Sequence, residues 1–259
     1  MSPDELPVIS PPDVVRPSPV GGAIPSSGSA DGRTSVAMQL VVFLLAAAIL
    51  VPAVTPNAAM TGGLWVKLAF LARVTALVAL AHWMLRKRSL VWSDVGLIRP
   101  NWRRFGIAVP AGLLLVVTFG AVAQAIITRA GLPSADYSMF APIKGNLGAY
   151  LFWAVPVTIG TAAFGEELIF RGFISNALQR LLGRPGIGPV LIALTAQAVI
   201  FGGLHFYQGV GGMITAGVTG LALGLTWLIA GRNLWAGIAI HALLDGSAMT
   251  AIYLGYLAT

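Results

Sequence analysis

Seven apolar stretches constrain this chain more than anything else in it. They lie at about 36–54, 64–85, 105–127, 147–173, 188–206, 213–230 and 234–256. Each is long enough to cross the hydrocarbon core of a bilayer, about 30 Å thick. In lipid no water satisfies the backbone, so a spanning segment is either a helix or part of a closed barrel. The runs are continuous, not alternating, and about 20 residues long, which selects helices. The expected fold is all-α: a polytopic transmembrane helical bundle of about seven spans, with room for an eighth half-span in the longer loops. Residues 1–34 are rich in Pro, Ser and Gly and carry no apolar period, so they read as a disordered tail. The tail opens with Asp4 and Glu5 and is not a signal peptide. The membrane domain is then 35–259.

The net charge of +7 invites a nucleic-acid reading. It fails, because the basic residues gather in loops between apolar runs, where membrane topology accounts for them. Without cysteine the chain forms no disulfide. The loops after the second, fourth and sixth runs hold most of the Lys and Arg, including Arg86-Lys87-Arg88 and Arg180 to Arg184. Loops after the first and fifth hold none, and the loop after the third holds Arg129 and Lys144. Positive charge marks the inner side, which predicts a cytoplasmic N-terminus. The expected location is the cytoplasmic membrane of a bacterium, with the bilayer itself as a partner. Trp92 and Trp102 read as interfacial anchors, and His82 beside Trp83 as an interfacial residue.

Within this apolar background, Gly165-Glu166-Glu167-Leu168-Ile169-Phe170-Arg171 stands out. A charged side chain at bilayer centre costs about 3 kcal/mol on insertion scales, so it survives by pairing or by lining a wet cavity. Glu167 and Arg171 are four apart and share a helix face, carboxylate first, which suits an ion pair. On an α-helix Glu166 points about 100° away and is left without that partner. Arg73, deep in the second run, also needs a partner or water. Further on come Phe201 and His205 at a spacing of four, then His241 and Asp245 at the same spacing. These groups sit on three separate runs, so only folding brings them together. Ala216, Gly220 and Gly224 recur every four residues and read as a close helix–helix contact.

Such a set has defined chemical options. A Glu in an apolar setting is a usable general base, and a His beside it can share and orient a water. A second His can donate a hydrogen bond to a developing oxyanion. No cysteine nucleophile, Gly-x-Ser-x-Gly elbow or His-Glu-x-x-His motif is present. Zinc held by Glu166, His205 and His241 stays open, since two His and one Glu form known zinc sites. Two other classes also stay open: a non-catalytic membrane scaffold or immunity protein, and a proton-coupled transporter.

Glu166-Glu167-x-x-x-Arg171, Phe201-x-x-x-His205 and His241-x-x-x-Asp245 resemble the three motifs of the CPBP family. These are the CAAX-protease and bacteriocin-processing membrane proteins, also called Rce1-like or Abi proteins. Order, spacing and placement in apolar spans agree, as do the flanks Phe170-Arg171-Gly172-Phe173. The likeness covers about 147–246. It implies an intramembrane endopeptidase of the glutamate type, acting on a membrane-associated, CAAX-like or lipidated peptide without a metal cofactor. By the same resemblance Glu166 is the catalytic glutamate and His205 helps it activate water. His241 with Asp245 is the oxyanion pair, and Glu167, Arg171 and Phe201 support the site. The eukaryotic prenyl-protein proteases have Asn where this chain has Asp245. An ionised Asp cannot donate to an oxyanion, though it can accept from His241. Glu166, His205 and His241 are expected to line one cavity at membrane depth, open to the cytoplasmic side.

Overall fold

A computed structural model of the chain describes residues 30–257, and no strand occurs among them. The first helix, α1 (Ala30–Ala53), starts inside the stretch assigned to the tail. The rest of that stretch lies outside the described residues. Thr55 and Pro56 separate it from the short α2 (Pro56–Thr61): the Thr55 hydroxyl accepts from the Ala58 amide at 3.2 Å, and Pro56 occupies a position where its missing N–H is harmless. Helix α3 (Leu64–Lys87) follows, and then α4 (Trp102–Arg129), capped by the Asn101 side chain. The fourth span runs over Leu147–Leu182. It begins as α5 (Leu147–Phe152) and ends as α6 (Ser175–Leu182). Helices α7 (Ile187–Leu204), α8 (Gly209–Ile229) and α9 (Leu234–Leu254) complete the bundle. Seven of these segments are long and apolar enough to cross a membrane, as their composition required.

Between α5 and α6 the fourth span departs from α geometry. From Trp153 to Ile174 it is wound wide, with only Glu167 returning to α form. At its lower end the Ser175 amide reaches the Phe170 carbonyl, five residues back. Pro156, with no N–H to give, lies near the start of this winding. More residues per turn means a smaller angle between successive side chains, so Glu166 and Glu167 diverge less than on an α-helix.

Small residues set the helix spacing. A Cβ on Gly202 of α7 would stand 2.5 Å from the Met213 carbonyl oxygen and 3.0 Å from Gly217 Cα, so the two backbones touch. Gly220 and Gly224 face Phe201 and Leu194 in the same seam, as the four-residue recurrence implied. On the other side of α8, Gly112 of α4 packs against Thr226. The glycines at 209–212 form the first turn of α8 and not a connection. Gly211 is required there because the backbone of Pro133 to Ala135 crosses where a Cβ would be. Phe43, Phe173, Ile174 and Phe201 are fully packed in the largest core cluster, which joins α1 and α3 to the fourth span.

Candidate active site

Glu167 and Arg171 form the buried ion pair that their spacing implied, with Arg171 Nη1 donating to Glu167 Oε1 at 2.8 Å. Both residues have no exposed surface. Arg171 Nη2 donates to the Gly220 carbonyl of α8 at 2.7 Å, and the buried Gln197 of α7 donates to the same carbonyl at 3.2 Å. One guanidinium thereby fastens the fourth span to α8. The Phe201 ring lies under it, 5.0 Å from the guanidinium carbon, and also meets His205 and His241 with centroids 4.6 and 6.3 Å away.

His241 descends on α9 into the same knot. Its Nδ1 donates to Glu167 Oε1 at 3.1 Å. Its Nε2 faces Asp245 Oδ2 at 3.4 Å and Glu166 Oε2 at 4.0 Å. The sequence reading kept Glu167 for Arg171 alone and turned Glu166 away. Both glutamates nevertheless lie by one imidazole, Glu167 in hydrogen-bond contact and Glu166 at 4.0 Å. Asp245 lies within ion-pair distance of His241 Nε2, which suits a carboxylate that can only accept. Its side chain is 44% exposed, against 23% for Glu166 and 7% for His241.

His205 closes α7, where Nδ1 lies 2.8 Å from the Phe201 carbonyl. A carbonyl only accepts, so the proton is on Nδ1 and the Nε2 lone pair is left for another donor.

Glu166, His205, His241 and Asp245 all line one cavity of about 440 Å³. A narrower apolar pocket of about 60 Å³ meets it at Glu166 and His205, between α1, α3 and the fourth span. Arg73, Tyr207 and Tyr137, which the motifs did not include, also line the cavity. Arg73 of α3 donates to the Val54 carbonyl at 3.0 Å and to that of Val51, and its guanidinium lies 3.9 Å over the Phe70 ring. That answers its need for a partner. Tyr207 follows His205 by two residues, and Tyr137 comes from the loop before the fourth span. Burial, and then the Asp245 carboxylate, push the Tyr137 phenol up, which keeps it a neutral donor. Arg73 was visible as a charge in an apolar run; the two tyrosines belong to no motif and lie outside the apolar runs that carry the motifs.

The cavity opens at the end of the bundle away from the basic loops. Its rim comes from Pro56, Tyr137, Phe140, Gln208 and Leu257. These belong to the connections after the first, third and fifth spans and to the segment after α9. The loops rich in Lys and Arg are at the opposite end. A cytoplasmic N-terminus and a cavity open to the cytoplasm therefore do not hold together. His82 stacks on Trp92, with centroids 6.3 Å apart, and takes no part in the site. Among the described residues no three His, Asp or Glu side chains are grouped so as to hold a metal ion.

Residues 148–247 match the family model described as type II CAAX prenyl endopeptidase Rce1-like. The matched segment contains every one of the motif residues and coincides with the stretch expected at 147–246. No curated protein and no solved structure matches the chain.

Proposed function

Because the segment 148–247 is Rce1-like and supports the CPBP/CAAX protease family for this membrane protein, we propose that it is an intramembrane endopeptidase of the glutamate type. The observation that carries the reading is the meeting of Glu166, His205, His241 and Asp245, from three spans, on one cavity. Glu166 takes a proton from a water that also donates to the free Nε2 of His205. The hydroxide attacks the scissile carbonyl, and the oxyanion accepts from His241 Nε2–H in place of Asp245. Glu167 holds the other ring nitrogen and so fixes the direction of that N–H. Protonated Glu166 then gives its proton to the leaving amine. Both carboxylates and both imidazoles are returned to their starting forms.

The substrate is a peptide or protein segment at the membrane. Phe140, Trp153, Met249 and Ile252 make part of the cavity wall apolar. The adjoining pocket of about 60 Å³ suits a small apolar side chain beside the cleaved bond. A lipid modification on the substrate would need the larger cavity. Water activation by Glu166 and His205 needs no metal, which makes the proposed reaction metal-independent.

The test is turnover of a quenched fluorescent peptide library by purified protein. Glu166→Gln should lower the rate by roughly 10²–10⁴-fold, the usual worth of a general base, with the protein folded. Uptake of protons in vesicles without peptide cleavage would instead favour a transporter. Binding without cleavage by the unaltered chain would favour a scaffold.

A further inference from the structure

The charge distribution and the cavity together say which side of the membrane the site serves. Ten of the described Lys and Arg lie at one end of the bundle: Arg33, Arg86, Lys87, Arg88, Arg99, Arg103, Arg104, Arg180, Arg184 and Arg232. Lys67, Arg129 and Lys144 lie at the other. Arg73 and Arg171 are inside spans and bonded to carbonyls or to Glu167. The bias is carried by short loops next to the spans, where the positive-inside rule applies. It places the basic end in the cytoplasm.

The cavity reaches from the middle of the bundle to the end away from the basic loops. Phe70 and Arg73 are in the first turns of α3, which starts at the sparsely charged end. Val157 to Ala162 precede the midpoint of the fourth span, which starts at that same end, and Glu166 lies at the midpoint. His205 and Tyr207 sit at the turn into α8; Asp245 to Ile252 lie in the later half of α9, which finishes there, with His241 just before its midpoint. No residue of the basic loops lines it. The solvent-facing members of the rim, Tyr137 at 42% and Leu257 at 47% exposed, are also at this end.

We propose that the cavity opens on the side of the membrane away from the cytoplasm. Its substrate is then a polypeptide segment presented from that side, such as the exported or outward-facing flank of a membrane-anchored chain. A C-terminal tail in the cytoplasm is not within its reach. The proposal takes the cavity to be the proteolytic site, but its test needs no turnover.

The chain has no cysteine, so single thiols report directly. Ser138→Cys places one at the rim beside Tyr137, Ala248→Cys one inside the cavity, and Ser93→Cys one in the basic loop after α3. Each full-length variant is expressed in a bacterial host and treated with a membrane-impermeant maleimide, before and after permeabilisation. Thiols at 138 and 248 should react fully in intact cells, and the thiol at 93 only after permeabilisation. A thiol at 93 that reacts in intact cells overturns the proposal. So does a thiol at 138 or 248 that reacts only after permeabilisation, or at neither stage. Glu166→Gln added to each variant should leave the pattern unchanged. Failure to find peptidase activity would thus sink the catalytic reading without touching this one.

Discussion

One oxygen of Glu167 accepts from Arg171 and from His241, at 2.8 and 3.1 Å, so a single carboxylate both neutralises a buried guanidinium and aims an imidazole. Removing one partner of such a buried pair should cost about 3–5 kcal/mol, because the other charge is left without compensation. Arg171→Ala is therefore expected to lower both yield and melting temperature in detergent, together with activity. Normal melting with loss of turnover alone would assign Arg171 a different role. Deleting both charges should recover less than for an isolated pair, since His241 Nδ1 loses its acceptor as well. The Glu167–Arg171 bond was legible because its spacing of four residues is local. The bond from Glu167 to His241 was not, because 74 residues separate them and no periodicity bears on it. The resemblance named His241 without saying what holds it.

Glycine positions at the element scale separate building the bundle from aiming the site. At Gly202 the obstacle to a Cβ is the backbone of α8, at 2.5 Å, which cannot yield without parting two helices. Gly202→Ala should therefore fail to accumulate as folded protein, checked by size-exclusion profile and thermal melting. At Gly237 the nearest atom is Glu167 Oε2, at 2.9 Å, the end of a side chain. Gly237→Ala should fold, shift that carboxylate and its bond to His241, and lower kcat more than it lowers melting temperature. Equal effects of the two substitutions would contradict this distinction. The spans themselves were readable from apolar length. The wide winding of the fourth span was not, because a segment apolar on nearly every side has no stripe to reveal its pitch. That winding narrows the expected divergence of Glu166 from Glu167.

For the molecule as a whole, the cavity has two properties that experiment can separate, its side of the membrane and its chemistry. The metal-independent reading expects purified protein to keep its cleavage activity after exhaustive chelation, with well under one metal ion per chain. Activity lost to the chelator and restored by stoichiometric zinc would make Glu166, His205 and His241 ligands, and the assignment of the base would fail. The loop charges gave an expected orientation, and the motif order named the residues that meet. Neither said which end of the bundle the meeting place would face, because that depends on how far along each span its polar residue sits. The bond between Glu167 and His241 also sets a schedule. His241 is on α9, which follows Glu166 and His205 in the chain, so a nascent chain without α9 carries those two residues but lacks the second imidazole. On the proposed mechanism a chain ending at Ile229 should be proteolytically silent, and the site can be completed only once α9 has been added.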